Sequence, residues 1–358
     1  MVHVGDRSGG SEDAGLVNAA RSGDDAAFGA VVERHRRELH VHCYRMLGSY
    51  DDAEDMVQET FLRAWRGRDT YEGRSTFRAW LYRIATNACM DFLDSRSRRA
   101  QRYQEPPLVD PGVQTRPPVN ISWLQPYPDQ LLDQAAPRAD EPDAVVVAKE
   151  TIELAFLITI QRLPPRQRAV LVMRDVLGWP AAEAAATLEM SVASVKSALQ
   201  RARATVKEHL PRRREEWASS STPTADERLL LQRYVDAHQR ADLETLREIL
   251  ADDVLQTMPP HPVWIAGREA LLSFSQDVFD PASAMYHGAW RCVLTAANRQ
   301  PAVAHYVQRP SAAETRDLPG EFRAQVIDVL RIENGVVREI TAFEPHRFAL
   351  FGLPLTLP

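Results

Sequence analysis

Apolar residues recur at every third or fourth position from about residue 12 to residue 100, and no proline interrupts them. That spacing predicts a compact helical domain over residues 12–102. From Glu105 to Pro142 the period is lost, and Pro106-Pro107, Pro117-Pro118 and Pro126 mark a linker over 103–142, with local order expected around Trp123 and Tyr127. Helical periodicity returns at 143–217. The polar stretch Ser219–Thr224 then separates a third segment, in which helices come first and β-like runs later. Helices at Asp226–Arg240 and Leu243–Leu250 precede strands at Val254–Met258, Ala302–Gln308, Arg323–Ile332 and Val336–Phe343. Asn334-Gly335 between the last two is a hairpin turn. The economical reading is an α+β domain over 225–345 with a tail at 346–358.

In the first domain, Ala53, Met56, Val57, Phe61, Ala64 and Trp65 form one helical stripe, with Asp51 as the expected N-cap and Glu54 completing a capping box. Asp52, Asp55, Gln58, Glu59 and Arg63 are left facing outward. On an isolated helix this would be an ordinary solvated face. After the loop Gly67–Arg74 comes a helix in which aromatic and basic groups alternate, from Phe77, Arg78, Trp80, Tyr82 and Arg83 to a basic run at Arg96, Arg98, Arg99 and Arg102. Aromatic faces and guanidinium planes stack on unpaired bases while cations follow phosphates, so the composition suits melted DNA.

In the second domain, Leu163–Leu171 opens a helix with proline at its entrance, Pro180–Leu188 forms another, and Glu189-Met190-Ser191 turns into a third with Ser191 as N-cap. This is a helix-turn-helix. On its last helix Val192, Val195, Leu199, Ala202 and Val206 share one side, which turns Ser194, Ser197, Gln200 and Arg201 outward as base readers. Lys196, Arg203 and Lys207 flank them within reach of phosphate.

Composition narrows the functional classes. The 358 residues are 44% hydrophobic and 26% charged, with no apolar run near the roughly 20 residues of a membrane span and no secretory leader at Met1–Ser22. A cytoplasmic protein is expected. Cys43, Cys89 and Cys292 are scattered and predict reduced thiols, with neither a disulfide framework nor a metal site. Residues 225–358 hold 13 Arg, no Lys and 18 Asp plus Glu, a balance that argues against DNA binding by the third domain. There Met258, Trp264, Phe274, Trp290, Tyr306 and Phe343 are the candidate pocket lining. His261, His287, His305 and Asp328 are the acid/base candidates, each without a visible partner and so expected to be structural.

DAEDMVQETFLRAW followed by STFRAWLYRIATNACMDFL resembles domain two of the extracytoplasmic-function sigma factors, and LPPRQRAVLVMRDVLGWPAAEAAATLEMSVASVKSALQRARA resembles domain four. The element order of the third segment, with MPPHPVWIAGREAL and the ending FEPHRFALFGLPLTLP, resembles SnoaL-like domains fused to sigma factors. The resemblance implies two all-α sigma domains, a helical bundle and a helix-turn-helix, plus a cone-shaped α+β SnoaL-like domain. It implies that Asp52, Asp55, Gln58 and Glu59 dock on the β′ clamp helices of core RNA polymerase. It also implies that Tyr71, Arg74, Trp80, Arg83 and Asn87 open and read the minus-ten element. The helix-turn-helix residues Ser194, Lys196, Ser197, Gln200, Arg201 and Arg203 would then read the minus-thirty-five element. Ala198 stands where many members of the family carry arginine. A small molecule is an expected ligand of the third domain; neither cofactor nor enzymatic activity is expected. Two rival readings are a helix-turn-helix regulator that works without polymerase and a SnoaL-like enzyme with helical regulatory modules.

Overall fold

The computed structural model describes residues 22–71, 76–102, 123–134, 152–209, 224–261, 264–309 and 321–358, with Gly15, Ala19 and Gly73. These fall into two compact units, one holding both helical domains and the other the C-terminal domain with residues 123–131 and 152–154.

In the first unit, α1 (Asp25–Leu47) opens at Asp24, whose carboxylate accepts from the Ala26 and Ala27 amides at 2.9 and 3.0 Å. Gly48, at φ 72°, ends it in the left-handed conformation that glycine adopts without strain. The next helix, α2 (Tyr50–Arg66), is capped by Ser49, whose Oγ accepts from the Asp52 amide at 3.2 Å. The expected cap at Asp51 is therefore corrected: Asp51 already lies inside the helix, and a serine just before it supplies the acceptor. With α3 (Phe77–Arg102), these helices enclose a core that includes Leu39, Met46, Val57, Ala64, Leu81 and Ala85. Ala53, Val57 and Ala64 are buried as the stripe requires, while Met56, Phe61 and Trp65 are half-buried.

His42 sits in the centre of this bundle. Thr86 Oγ1 donates to the Tyr82 carbonyl at 2.7 Å, so its contact with His42 Nε2 at 2.8 Å has the imidazole as donor. Nδ1 is buried with no hydrogen-bond partner among the described residues. A proton there would place an unpaired N–H and a charge in the core. Burial first, and then the cations of Arg45 and Arg78 against the opposing pull of Glu38, hold the pKa down to about 3. Burial likewise lowers His40 to about 4, with Arg36 adding to the effect and Glu54, the Tyr50 backbone and Asp51 opposing it. Below pH ~6.5 the unfolded chain takes up protons that the folded domain refuses, so stability falls as pH falls, by up to about 1.4 kcal/mol per pH unit for each histidine. Thermal melts at pH 7 and pH 5 will show the first unit losing stability in acid. His42→Gln, which retains a donor toward Thr86 and cannot ionise, will blunt the loss.

After the short helix α4 (Asp129–Gln134), the second helical domain begins with α5 (Leu154–Gln161) and α6 (Pro165–Leu171), continues through a π turn at Val172–Val176, and ends with α7 (Ala181–Thr187) and α8 (Val192–His209). Ser191 caps α8 through a 3.1 Å bond from the Ser194 amide. Glu189, at φ 53°, makes the turn that brings α7 and α8 together. Val195, Leu199 and Ala202 are buried as expected; Val192, the first residue of the helix, is 41% exposed.

In the second unit, α9 (Ala225–Arg240) carries a complete capping box of Thr224 and Glu227, and α10 (Leu243–Ile249) is capped by Asp242. The strands are β1 (Leu250–Thr257), β2 (Trp264–Ala266), β3 (Ala289–Ala297), β4 (Gln300–Gln308), β5 (Phe322–Glu333), β6 (Val336–Phe343) and β7 (Thr356–Leu357), with α11 (Arg268–Phe279) between β2 and β3. The sheet order is β2-β1-β6-β5-β4-β3, with β7 on β5. Neighbours are antiparallel except β1 and β6. Leu230, Leu231 and Val235 of α9, Leu271 of α11 and Val303, Leu330 and Ile340 of the sheet form the core between helices and sheet. Asn334 and Gly335, at φ 52° and 73°, form the expected turn. Asn298 and Arg299 form a second, at φ 56° and 60°. Gly288 admits no side chain, since a Cβ would lie 2.1 Å from the Gln308 carbonyl oxygen.

Part of the proline-rich linker belongs to this unit. Asn298 is fully buried; its Oδ1 accepts from the Tyr127 amide at 2.8 Å, its own amide donates to the Tyr127 carbonyl at 2.9 Å, and its Nδ2 donates to the Ile152 carbonyl at 2.8 Å. The local order expected around Tyr127 is thus a strip bound to the β3–β4 turn.

Candidate functional site

The outward face of α2 is acidic, as its sequence requires. Asp55 and Gln58 are exposed, and Asp55 makes no hydrogen bond or ion pair among the described residues. Asp52 is held by Arg96 at 3.4 Å, and Glu59 by Arg63 at 2.7 Å, which also reaches Asp91 at 2.7 Å. The acidic ridge therefore has a fixed edge and a free centre. Leu62, 50% exposed beside it, adds an apolar contact point.

Tyr71 and Trp80 are buried, in contact with each other at 5.3 Å and with Phe77 at 5.5 and 5.3 Å between ring centroids. In this conformation they pack with Phe77 as a buried ring cluster instead of presenting a face to solvent. Arg83 and Asn87 are half-buried on α3. Arg74 lies outside the described residues, as do the side chains of Arg98, Arg99 and Arg102 and the whole of Arg212–Arg214.

Along α8, Ser194, Lys196, Ser197, Gln200 and Arg201 are all exposed. Arg201 donates to Ser197 Oγ at 2.8 Å, which joins the two as one polar patch one helical turn apart. Arg203 is also exposed but is bound by both oxygens of Asp175, at 2.7 and 2.8 Å. Asp175 must release it before it can meet phosphate. Ala198 is buried against the neighbouring helices, on the core side of α8.

The C-terminal domain encloses a cavity of about 280 Å³. Met258, Phe274, Trp290 and Phe343 line it as expected. Trp264, on β2, and Tyr306, whose hydroxyl donates to the Pro354 carbonyl at 3.0 Å beneath Phe348, do not. All four acid/base candidates do line it. His261 pairs with Glu344 at 2.9 Å, and His287 Nδ1 donates to the Met285 carbonyl at 2.6 Å.

His305 and Asp328 are partners, which corrects the expectation that each stands alone. Antiparallel register puts Val303 opposite Asp328 and Cys292 opposite His305, so the three side chains share the face over which α9 lies. His305 Nε2 lies 2.9 Å from Asp328 Oδ2, which also accepts from the Tyr234 hydroxyl at 2.9 Å, and Cys292 Sγ is 3.3 Å from His305 Nδ1. Burial opposes both charges, yet Cys292 and Asp328 raise the imidazole, and His305 foremost holds the Asp328 carboxyl below its usual range. Both shifts run toward the charged forms. One turn from Tyr234, His238 completes the group, its pKa lowered to about 4 by burial and the His305 charge. Sequence reading missed Tyr234 and His238; their i, i+4 spacing on an amphipathic helix was the available signal.

Residues 31–99 match the family model described as Sigma-70 region 2, residues 154–206 that of Sigma-70, region 4, and residues 231–340 that of a SnoaL-like domain. Over 339 residues the chain is 37% identical to the ECF RNA polymerase sigma factor SigG of Mycobacterium tuberculosis, a match spanning 94% of this chain and 86% of that protein. It is 29% identical over 196 residues to the ECF RNA polymerase sigma factor SigW of Bacillus subtilis, covering 54% of this chain and 94% of that one. The crystal structure of the extracytoplasmic function sigma factor SigJ of Mycobacterium tuberculosis has a similar fold, with a TM-score of 0.54 at 23% identity over 90% of this chain and 98% of that one.

Proposed function

The chain belongs to the extracytoplasmic-function RNA polymerase sigma factors, and we propose that its two helical domains grip core polymerase and two promoter elements while its third domain regulates them. It binds core RNA polymerase and directs promoter-specific initiation. The carrying observation is the order along one chain of region 2, region 4 and a SnoaL-like domain, in a sequence 37% identical over 339 residues to a sigma factor of that class. No helix among the described residues is long and apolar enough to cross a membrane, and the site of action is the cytoplasm, where polymerase and promoter are.

The working parts divide at 12–102, 143–217 and 225–345. On α2, Asp52, Asp55, Gln58 and Glu59 meet the β′ clamp helices; the exposed, unpaired carboxylate of Asp55 supports this, because it loses no internal bond when it docks. The 67–75 loop and Arg83 and Asn87 of α3 take the minus-ten element. Tyr71 and Trp80, buried against Phe77, are aromatic supports beneath the surface that takes a flipped base. On α8, Ser194, Ser197, Gln200 and Arg201 read base edges, while Lys196 and Arg203 position the helix on phosphate. The third domain has no assigned chemistry: it holds a ligand in its cavity and acts on transcription through occupancy.

In vitro transcription with core enzyme and a library of promoter fragments tests this reading. Arg201→Ala will cost about 1–3 kcal/mol at one position of the minus-thirty-five element and relax the preference there, whereas Lys196→Ala will weaken all promoters alike. Loss of preference with neither change, or an equal loss with both, removes the assignment. The polymerase-independent rival predicts tight promoter binding by the purified chain alone, which a footprint without core enzyme reads directly.

A further inference from the structure

We propose that His238, His305 and Asp328 form a binding site for one divalent transition-metal ion at the polar end of the C-terminal cavity, with open coordination positions facing the cavity. Each residue offers one ligand atom, and the three atoms lie within 4.8 Å of one another. Two imidazoles and one carboxylate suit zinc, iron(II) or cobalt(II), which take nitrogen and oxygen donors and leave positions open when only three protein ligands are supplied.

The surroundings are those of a supported ligand set. His238 Nδ1 lies 2.9 Å from the Tyr234 carbonyl, to which it donates, and this leaves Nε2 with its lone pair for a ligand. His305 presents Nε2 toward Asp328 and Nδ1 toward Cys292 Sγ, and the Tyr234 hydroxyl fixes Asp328 Oδ2. Partners on the far nitrogen of each imidazole, and on the carboxylate, are what orient metal ligands. All three residues line the cavity, so ligand access is built in.

A second observation lies on the wall of the same cavity. Trp290 packs against both imidazoles, at 5.7 Å from His305 and 6.3 Å from His238 between ring centroids. Its indole Nε1 is buried with no acceptor among the described residues. A buried donor without an acceptor is destabilising, and an oxygen-bearing ligand taken up beside the ion supplies one. Much of the remaining wall, with Leu271, Phe274, Val278, Phe279 and Phe343, is apolar, and Gln256, Ser275, Gln325 and Glu344 add polar groups to it. The site therefore takes the ion together with a small, largely apolar molecule that offers an oxygen donor.

Binding of the ion needs neither polymerase nor DNA, so it stands apart from the transcriptional reading. The test is titration of cobalt(II) into the full, chelator-stripped chain, followed by visible absorption and by thermal melting. One equivalent is expected, with ligand-field bands, displacement by zinc(II) and a higher melting temperature of the second unit. His238→Gln, at a half-buried position on the cavity wall, is expected to weaken affinity at least ~100-fold, beyond the 10–100-fold loss typical of a supporting residue. Asp328→Asn is the second variant, with circular dichroism to establish that both are folded. His261 and His346 lie beside Glu344 at 2.9 and 3.3 Å and offer an alternative surface site. Unchanged affinity in His261→Ala supports the buried site. Absence of the bands, or binding that survives His238→Gln and is lost in His261→Ala, overturns it.

Discussion

Reversing the charge of Asp55 and Glu59 together will abolish co-elution of the chain with core polymerase and cut promoter-dependent transcript at least ~30-fold at fixed concentration. Truncating one partner of a buried interfacial charge pair costs about 2–5 kcal/mol, and reversal adds repulsion. The two positions separate binding from folding. Asp55 is exposed and has no partner among the described residues, so Asp55→Lys will leave the melting temperature unchanged. Glu59 holds Arg63, itself shared with Asp91, so Glu59→Lys will also disturb a partly exposed ion pair worth at most about 1 kcal/mol. A normal melt with lost polymerase binding in Asp55→Lys alone locates the defect at the interface.

The second large effect is expected at Arg168. Its guanidinium is buried and donates to the carbonyls of Ile160 at 2.9 Å, Gln161 at 2.9 Å and Leu163 at 3.2 Å, to Gln161 Oε1 at 2.6 Å, and to the Met46 carbonyl at the end of α1. Burial lowers its pKa to about 10, which still leaves it charged at neutral pH. It closes the α5–α6 connection and ties it to α1 through one group. Arg168→Ala strands these acceptors in the core and will cost about 3 kcal/mol or more. Arg168→Lys will recover only part, since an ammonium cannot span a fan of carbonyls that a planar fork reaches. Urea unfolding of the three proteins, followed through helix content, measures both. A loss below about 1 kcal/mol in the alanine variant would show that water replaces the network.

Local chemistry was legible where it acts locally. The stripes of α2 and α8, the Ser191 cap, the Asn334-Gly335 turn and the hairpin strands follow from spacing and residue type, and the structure has them in place. Other features depend on the fold as a whole. The cap of α2 is Ser49 because the chain leaves α1 through Gly48 and must place an acceptor at once, which a pattern beginning at Asp51 does not reveal. Strand β3 and helix α11 were missed. The strand is half-buried along most of its length, so its alternation is weak, and the Asn298-Arg299 turn after it has no glycine to mark it.

The same division holds for the sites. Exposed readers on α8 could be named from one helix. Tyr71 and Trp80 could not be placed, because an aromatic residue in a loop or on the helix after it has the same composition whether it packs inward or faces DNA. His305 and Asp328 looked solitary because 22 intervening positions separate them in sequence; only the β4–β5 register brings them to 2.9 Å. Cys292 joins them by the β3–β4 register, and Tyr234 and His238 from a helix still further away in the chain. Pairing across a sheet is a long-range property, and no local pattern encodes which two strands become neighbours.

The central claim is that this chain converts core polymerase into a promoter-specific enzyme. Run-off transcription with purified core enzyme, with and without the full chain, on a pool of genomic fragments tests it most directly. Transcripts that require the chain, start at a few defined sites, and share two sequence elements upstream at fixed spacing are the predicted result. A product pattern that is the same with and without the chain, under conditions where the chain is folded, would contradict it.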